Sequence, residues 1–369
     1  MLANKLFSSA TMVGLSFSLF MTGQAFAFTF TKIADTNDPV FRNFGFYPAI
    51  NNKGTVVFSA NLNADGQATG IYISSGDETT TTIADTNGPF SLFGNAPAIN
   101  DQGIVAFRAN LKTIGSGIYT ESDGVITTIS ESTEPRGIFE DPVINNEGTI
   151  AFSASTQGGS AIFISSDGVT TNATDTVNPF NSFNGYTIND TDTVAFSPNL
   201  NLGGSGIFTL NTGVMTTIAD TSDRFSFLFP PAINNIGTVV FKGVLNQLAG
   251  EGIYTVTNGI TTTIADNSNS FSFFENPAIN DQGTVAFKGV LKAGGLGIFT
   301  GPNPVTDKVI AAGDALDDST VTDLYFSKKG LNNSNQLVFY AKLANGTTGI
   351  FLADPESDPF SADPENSQE

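Results

Sequence analysis

Histidine, cysteine and tryptophan are absent from the 369 residues of this chain. Without cysteine there is no disulfide framework, no thiolate nucleophile and no zinc–sulfur site. Without histidine the chain lacks the commonest general base near neutral pH, and with it the catalytic triads and metal sites that depend on that side chain. Any catalysis would therefore rest on carboxylates, Lys, Arg, Ser or Tyr.

Positive charge is scarce as well. The chain has only 15 Lys and Arg residues against 35 Asp and Glu residues, which gives a formal net charge of −20. A surface of this sign repels nucleic acid and anionic lipid, and it favours a soluble, monomeric protein. We therefore expect no nucleic-acid partner and a monomer.

The amino terminus has the pattern of an export signal. Lys5 precedes a short apolar stretch over residues 12–21, and the tripeptide Ala-Phe-Ala at 25–27 has the small–x–small pattern of a cleavage site. Ser, Thr and Gly interrupt the apolar stretch, which is too short for a comfortable membrane span. We expect residues 1–27 to be a signal peptide. The mature chain has no other candidate span, and we expect it to be secreted, periplasmic or at the cell surface.

One pattern dominates the remaining sequence: an apolar residue and Asn, a turn, and a β-branched run that ends in Phe. AINNKGTVVF, from Ala49, is the first of seven copies. Their spacing of 44 to 52 residues is typical of propeller blades and of solenoid repeats. The marker asparagines of the copies are Asn51, Asn100, Asn145, Asn189, Asn234, Asn280 and Asn332.

Each copy predicts four short β-strands, a to d, because helical periodicity is absent and Pro and Gly punctuate every unit. Strand a is the Pro-Ala-Ile-Asn segment. An Asn/Asp-x-Gly turn leads to strand b, which is rich in β-branched and aromatic residues. Strand c is a Gly-Ile-Tyr or Gly-Ile-Phe segment, and strand d is typified by Thr-Thr-Ile-Ala at 81–84.

The two ends of the chain decide between these architectures. The last copy stops after strand c, at 349–352, whereas residues 30–35 have the strand d sequence with no a, b or c before them. Together they complete a seventh four-stranded blade, as ring closure by strand exchange requires. A linear solenoid would gain nothing from this offset. We therefore predict an all-β, seven-bladed β-propeller over residues 28–352, closed by its amino-terminal strand.

Residues 353–369 contain six acids and no base. Their proline and charge content predicts an acidic, disordered tail.

In the absence of tryptophan, phenylalanine supplies the bulk between blades. One group shares a position in strand b, and a second, which includes Phe44, Phe93, Phe227 and Phe273, lies five residues before the Ala of strand a. We expect both groups to pack in the core, where each ring contributes ~1.5–3 kcal/mol. For phenylalanines in loops, an aromatic platform for sugars or bases is the alternative. The strand b group is Phe58, Phe107, Phe152, Phe196, Phe241, Phe287 and Phe339.

The Asn-x-x-Gly-x-x-x-Phe core, as in residues 100–107 or 280–287, resembles that of bacterial secreted proteins named for tandem NxxGxxxF repeats. The resemblance covers nearly all of residues 28–352. Two copies depart from it, with Asp192 and Asn335 in place of Gly, but both residue types tolerate the left-handed turn better than others do. The resemblance implies an exported, propeller-like repeat protein of a largely uncharacterised family. It transfers no catalytic residue.

Candidate ligand-binding residues lie on the face of the b–c and d–a loops, which are longer than the turns of the opposite face. Three of the few cations, Arg108, Lys242 and Lys288, follow the strand b Phe at equivalent positions. They are candidates for holding an anionic group such as a uronic acid or a sulfate. In the alternative, their stems pack between blades and their charges pair with acids such as Glu275.

Two sets of carboxylates are candidates for Ca²⁺, which favours several oxygen ligands. One set ends strand d of each unit, where capping of a turn through backbone N–H groups is the alternative. The other set lies in the longest inter-blade loop, where a solvated acidic loop is the alternative because the D-x-D-x-D-G spacing is missing. The first set is Asp35, Asp85, Glu131, Asp175, Asp220, Asp266 and Asp314, and the second is Asp314, Asp317, Asp318 and Asp323.

The sequence contains no Rossmann glycine pattern, P-loop, HExxH or GxSxG motif, so we expect no cofactor beyond a Ca²⁺ ion. The leading hypothesis is an exported, non-enzymatic module that binds a polysaccharide or a surface protein. The alternatives are a carboxylate-dependent glycosidase or histidine-free polysaccharide lyase, and a structural matrix protein that responds to Ca²⁺. The fold does not choose among them, because propellers host many unrelated activities.

Overall fold

The computed structural model describes residues 27–62, 69–76, 79–133, 139–156, 159–176, 179–222, 224–246 and 250–356. Over these residues the chain forms 33 β-strands in seven sheets, so the predicted seven-bladed β-propeller is confirmed. No helix in these ranges is long and apolar enough to cross a membrane. The predicted signal peptide up to residue 26, and the predicted tail from residue 357, lie outside the described residues.

The chain opens with β1 (Phe28–Asp35) and then builds blades 1 to 3 in order. Blade 1 has β2 (Phe41–Phe44), β3 (Ala49–Ile50), β4 (Val56–Leu62), β5 (Thr69–Ser74) and β6 (Thr81–Asp85). Blade 2 has β7 (Phe90–Phe93), β8 (Ala98–Ile99), β9 (Val105–Leu111), β10 (Ser116–Ser122) and β11 (Val125–Ser132). Blade 3 has β12 (Val143–Ile144), β13 (Ile150–Thr156), β14 (Gly159–Ser166) and β15 (Val169–Asp175).

Blades 4 to 7 follow in the same way. Blade 4 has β16 (Phe180–Ile188), β17 (Val194–Leu200), β18 (Gly206–Asn211) and β19 (Val214–Asp220). Blade 5 has β20 (Phe225–Leu228), β21 (Ala232–Ile233), β22 (Val239–Leu245), β23 (Glu251–Thr257) and β24 (Ile260–Asp266). Blade 6 has β25 (Phe271–Phe274), β26 (Ala278–Ile279), β27 (Val285–Leu291), β28 (Leu296–Phe299) and β29 (Lys308–Ala311). Blade 7 has β30 (Ala315–Leu316), β31 (Ser319–Leu331), β32 (Leu337–Leu343) and β33 (Thr348–Pro355).

The ring closes in blade 7, where β1 pairs antiparallel with β33 as its outermost strand. The pairing places Phe28 opposite Pro355 and Asp35 opposite Gly349. Strand β33 runs to Pro355, three residues past the end expected from the sequence, because Ala353 pairs with Phe30 and the two residues after it are also paired. The two ends of the propeller therefore share one sheet, as predicted.

Strand a is longer than the sequence suggested. In blade 1 both β2 and β3 pair with β4, and the residues between Phe44 and Ala49 bulge away from that strand. Blades 2, 5 and 6 have the same two-part strand a. Since strand a is innermost in a propeller blade, the bulge projects into the central channel.

The strand b phenylalanines are buried, as expected, with 1% or less of their surface exposed. In the second group Phe44 and Phe93 are also buried, but the expectation is wrong for Phe227 and Phe273, which are 39% and 45% exposed. In blades 5 and 6 the stretch before the strand a Ala is one residue shorter. The buried position therefore falls on the next residue of the chain, Leu228 or Phe274, and Phe227 and Phe273 take the exposed place before it.

The a–b turns have the backbone conformation that the sequence implied. The third residue after each marker asparagine has a positive φ, and in the two departing copies Asp192 and Asn335 adopt it at 58° and 59°. Asn and Asp are the residues that reach this region at least cost after Gly. The glycines concerned are Gly54, Gly103, Gly148, Gly237 and Gly283.

Candidate functional site

A cavity of about 370 Å³ lies at the mouth of the channel on the side of the b–c and d–a loops, hereafter the loop face. Each blade contributes to its wall the residue four positions before the marker asparagine. In the blades with a two-part strand a, this residue belongs to the bulge between the two parts. The seven residues are Tyr47, Ala96, Asp141, Gly185, Pro230, Asn276 and Lys328.

This position differs in every blade, although its neighbours vary little. The two residues before the marker asparagine are Ala-Ile in blades 1, 2, 5 and 6, and they are buried there. Core packing keeps those positions alike, whereas a side chain that faces the channel is free of that constraint. The cavity is therefore an asymmetric site on a nearly symmetric scaffold.

The floor of the cavity comes from blade 7. Residues 327–330 of β31 bulge out of its pairing with β32, between the pairs Phe326–Phe339 and Leu331–Leu337. Ser327 anchors the bulge to blade 1 by donating its hydroxyl hydrogen to a buried backbone carbonyl at 2.9 Å. The bulge thus crosses the channel beneath the cavity.

Two lysines extend this bulge to the opposite blades. The Nζ of Lys329 donates to the carbonyl of Ala96 at 2.7 Å and to that of Pro142 at 3.3 Å. The Nζ of Lys328 donates to the carbonyl of Tyr186. Both lysines keep contact with the solvent of the cavity, although they lie deep within the protein.

The electrostatic environment of the floor is unusual for lysine. Burial, and then the adjacent charge of Lys329, lower the pKa of Lys328 to about 7. Burial also lowers the pKa of Lys329 to about 8, although Asp141 favours its charged form. Asp141 is itself engaged, 3.3 Å from Arg108 Nε and bonded to the N–H of Ala96 at 3.2 Å. Among the described residues no carboxylate forms an ion pair with Lys328.

The wall between blades 3 and 4 is fixed by Tyr186. Its hydroxyl donates to the carbonyl of Asp141 at 2.9 Å and accepts the N–H of Ser153 at 3.0 Å. Burial raises the pKa of Tyr186 far above its usual value, so this phenol stays protonated. Phe183 and Asn184 complete this side of the cavity with an aromatic ring and an amide.

The three cations predicted to bind a ligand have carboxylate partners. Arg108 Nε is 3.3 Å from Asp141 Oδ1, and Lys288 Nζ is 2.9 Å from Glu275 Oε1. The Lys288–Glu275 pair is the one named in the alternative interpretation. Asp141 lines the cavity, and Arg108 does not.

Lys242 is the most enclosed of the three. Its side chain is 3% exposed and its Nζ is 3.1 Å from Glu251 Oε2. The ammonium lies over the rings of Phe229 at 4.5 Å and Phe273 at 3.8 Å. Burial lowers its pKa, while Glu251 favours the charged form. The geometry favours the pairing interpretation here, and ligand binding by Arg108, Lys242 and Lys288 stays a prediction.

The acidic inter-blade segment is a β-hairpin and not a loop. Strands β30 and β31 pair across a turn formed by Asp317 and Asp318, and Asp317 has a φ of 52°. A left-handed residue of this kind is ordinary in a two-residue hairpin turn. The hairpin geometry explains this pair of acids without a metal ion.

The four carboxylates predicted to bind Ca²⁺ have other partners or lie apart. Asp314 Oδ2 is 2.9 Å from Lys308 Nζ, and Asp317 Oδ2 is 3.3 Å from Lys32 Nζ. Asp323 Oδ1 accepts a backbone N–H at 2.9 Å. In the part of the chain that the structure describes, no three acidic side chains come together as metal ligands. Ca²⁺ binding by this segment stays a prediction.

Four of the seven carboxylates at the ends of the d strands cap turns, as the alternative interpretation expected. In each of these four, Oδ1 accepts the N–H of the residue two positions later, at 2.8 to 3.0 Å. This is the Asx-turn contact by which Asp commonly fixes a loop. The four are Asp35, Asp85, Asp220 and Asp266.

The marker asparagines make contacts both within their own turn and with the next blade. The Oδ1 of Asn51 accepts the N–H groups of Lys53 and Thr55 at 3.1 and 2.9 Å, which closes its own turn. Its Nδ2 donates to the carbonyl of Asn100 in the next blade at 2.9 Å. The same inter-blade bond recurs at each marker and returns from Asn332 to Asn51, which completes a circle within the described residues.

A second circle lies beside the first. The residue after each marker donates its N–H to the side-chain oxygen of the equivalent residue in the next blade, at 2.7 to 2.9 Å. Members of both circles line a small basin of about 150 Å³ at the other mouth of the channel. The members of the second circle are Asn52, Asp101, Asn146, Asp190, Asn235, Asp281 and Asn333.

Sequence reasoning missed the lysines of the floor. The signal was present, because Lys328 and Lys329 take the places of Tyr47 and Pro48 when the copies are aligned on the marker asparagine. Pro occupies the second of these places in five copies, so two consecutive lysines there are a clear departure.

Comparisons with known proteins identify a family and the fold. The chain matches the model of a family of unknown function, DUF7453, over residues 34–359. No curated protein matches it in sequence.

Solved structures agree on the architecture. The open-velcro propeller domain of the Trilobed protease from Pyrococcus furiosus is 13% identical with a TM-score of 0.58, and the match covers 86% of this chain and 97% of that one. Oligogalacturonate lyase from Vibrio parahaemolyticus is 12% identical with a TM-score of 0.56, over 89% and 97%. TolB from Acinetobacter baumannii is 13% identical with a TM-score of 0.44, over 89% of this chain but only 63% of that one. At these identities the likeness to the first two structures shows the propeller fold alone.

Proposed function

This chain belongs to the DUF7453 family, whose function is unknown, and we propose that it is an exported binding module that holds an anionic ligand in the cavity of its loop face. The observation that carries the proposal is Lys328, an ammonium group at the cavity floor with no carboxylate partner among the described residues. Buried charges in proteins are normally paired. An anionic ligand supplies the missing partner.

The shape of the site supports binding of a group rather than of a flat surface. The cavity is about 370 Å³, within the range of small-molecule sites, and residues from every blade converge on it. Its walls combine aromatic rings with amide and carboxylate groups. A terminal group of a polysaccharide or of a protein ligand fits a site of this size and polarity.

Export is supported by the position of the first strand. Strand β1 begins at Phe28, immediately after the expected cleavage site, so removal of residues 1–27 leaves intact every strand of the part of the chain that the structure describes. The first described residue, Ala27, contributes only a carbonyl to the backbone N–H of Glu356. A secreted, periplasmic or surface location is part of the proposal.

A second candidate function uses the same lysines as a base. An amine with a pKa near 7 is largely neutral slightly above neutral pH, and it can take the proton next to a carboxylate that Lys329 holds. This is the requirement of a histidine-free polysaccharide lyase. The appearance of an unsaturated, ultraviolet-absorbing product from acidic polysaccharides separates this candidate from simple binding.

Binding should depend on pH in a defined direction. An anion prefers the ammonium form of Lys328, so affinity should be highest below about pH 7. Above that pH the affinity should decrease, with a limiting slope of about tenfold per pH unit. We would screen acidic and neutral glycans on an array and then measure the affinity of the tightest-binding glycan by calorimetry at pH values below and above 7. Lys328→Met should remove binding, whereas Lys342→Met, an exposed change of the same charge, should leave it intact. Equal binding by the wild type and Lys328→Met would overturn the proposal.

A further inference from the structure

An aromatic shelf adjoins the cavity between blades 7 and 1. The ring of Phe46 stacks on that of Tyr325, with centroids 4.4 Å apart and planes 19° from parallel. Tyr340 meets Phe46 nearly perpendicular at 5.2 Å. Phe46 is still 41% exposed. Its neighbours therefore hold the ring in place while leaving much of its surface open to the loop face.

The shelf is continuous with the cavity. Tyr47, which lines the cavity, directly follows Phe46 in the chain, and the charge of Glu275 acts on both Tyr47 and Tyr325. Tyr47 is also 41% exposed, and its burial, together with the charge of Glu275, raises its pKa, so its hydroxyl is a hydrogen-bond donor at neutral pH. A single ligand can therefore contact the shelf and enter the cavity.

Phe46 also stands out among the copies of the repeat. Phe46 lies five positions before the marker asparagine. At this position all other blades except blade 5 have a polar residue. There Phe229 packs against the enclosed ammonium of Lys242. Phe46 makes no such contact with a cation among the described residues.

We propose that the shelf and the cavity together bind one hexuronic acid residue, with the sugar ring on Phe46 and the carboxylate directed towards Lys328. The inference rests on the proposed function and adds the class of ligand. The axial C–H bonds of a pyranose ring form an apolar, slightly positive face, which matches the negative face of an aromatic ring. A carboxylate on the same ring matches the unpaired ammonium.

The groups around the shelf suit the remaining hydroxyls of such a sugar. Glu275 is 35% exposed, and although it pairs with Lys288 through one oxygen, a carboxylate has several acceptor positions. Asn276 and Asn184 line the cavity and offer both donors and acceptors. Hydroxyl groups need mixed partners of this kind, whereas a phosphate or sulfate would need further cations.

The net charge of the protein restricts the ligand further. A chain with a formal charge of −20 repels a long polyanion at distances up to a Debye length, about 8 Å at physiological salt. A single carboxylate inside the cavity escapes most of that repulsion. We therefore infer that the site takes a lone or terminal hexuronate and not the middle of a polyuronate chain.

The test compares three kinds of probe by calorimetry: hexuronates (galacturonate, glucuronate and mannuronate), the matching neutral hexoses, and the open-chain acid gluconate. We expect at least one hexuronate to bind about tenfold more tightly than gluconate or its neutral hexose. Phe46→Ala should remove that tenfold advantage and leave gluconate binding unchanged. Saturation-transfer NMR should show the strongest contact at the axial ring protons of the bound hexuronate, a readout that a merely structural ring would not produce.

Phe227→Ala is the matched control, because Phe227 is a similarly exposed ring of the loop face that does not line the cavity. It should not change binding of any probe, and both variants should keep a single cooperative unfolding transition. If gluconate binds as well as every hexuronate and Phe46→Ala changes nothing, the shelf proposal is overturned while the anion site stands. If no acidic probe binds, or if Lys328→Met binds them normally, both proposals are overturned.

Discussion

At the scale of single residues, the marker asparagine is needed for two contacts that no other side chain makes together. Its oxygen accepts the N–H groups that close the a–b turn, and its amide nitrogen donates to the next blade. Aspartate keeps the first contact and loses the second, because a carboxylate has no donor. The requirement for both contacts explains why each copy of the repeat carries Asn at this position.

Lys328, in contrast to the marker asparagines, destabilises the folded propeller. In the folded chain the pKa of Lys328 is about 7, far below the ordinary 10.5. Between these two pH values the unfolded chain therefore binds a proton that the folded chain does not. Stability linked to this group therefore rises as pH rises from about 7 to 10.5. A group retained at such a cost is more easily explained by a ligand than by folding.

Substitution of Lys328 by Met should reveal this linkage. We expect Lys328→Met to be more stable than the wild type near pH 7, and the difference to shrink by on the order of 2 kcal/mol as pH rises towards 10. Urea unfolding of both proteins at several pH values measures it. Lys342→Met, on the exposed surface, should follow the wild type at every pH. A constant difference between Lys328→Met and the wild type would contradict the linkage.

At the scale of elements, β1 and β31 each serve a purpose beyond their own blade. Strand β1 covers the edge of β33 and buries Ile33 and Ala34. Strand β31 pairs with β32 at both ends and leaves its middle, residues 327–330, free to cross the channel. Blade 7 therefore both closes the ring and supplies the floor of the site.

Deletion of residues 28–37 should abolish cooperative unfolding. Without β1, strand β33 becomes an unpaired edge next to an exposed core, and the ring opens. Calorimetry and near-ultraviolet circular dichroism would show the loss of the single transition. Deletion of residues 357–369, which removes none of the described strands, is the control and should melt normally. A normal melt of the chain without β1 would show that closure is not needed.

At the scale of the whole molecule, closure is a property of the circle and not of any one blade. The hydrogen-bond circles on the turn side pass through all seven blades of the described chain, and the sheet of blade 7 joins the two ends of the propeller. The sheet of each blade is covered on both faces by the sheets of its two neighbours, so a ring has no terminal blade with an uncovered face. The position of the chain ends within the circle should then have little effect on the stability of the propeller.

A circular permutant tests this directly. Phe28 lies opposite Pro355, so a short turn can join them, and new ends can be opened at Asn258-Gly259, between β23 and β24. Strand β24 would then close blade 5 as β1 now closes blade 7. We expect a single cooperative transition within a few degrees of the wild-type midpoint. As a control, a permutant opened between Phe241 and Lys242, inside a central strand, should not fold. If the permutant opened at Asn258-Gly259 also failed to fold, the natural position of the chain ends would be required for the ring.

The architecture was readable from the sequence because it depends on periodicity. The spacing of the marker asparagines, the β-branched runs and the strand d sequence at residues 30–35 predict the blade count, the strand types and the closure. Burial of a β-strand requires alternation and bulk, and both are visible in one dimension. The errors at Phe227 and Phe273 arose because the stretch before the strand a Ala is one residue shorter in blades 5 and 6, and a shift of one residue turns a side chain to the other face.

The candidate site was not readable in the same way, because it depends on where seven separate bulges meet. Lys328 comes from one blade, while the carbonyls that its bulge contacts belong to blades more than a hundred residues away. The sequence by itself determined the ring, since each strand is specified by its own neighbours in the chain. Only the tertiary structure decided that the centre of the ring holds a cation without a counter-charge, since electrostatic pairing depends on distance in space and not on distance along the chain.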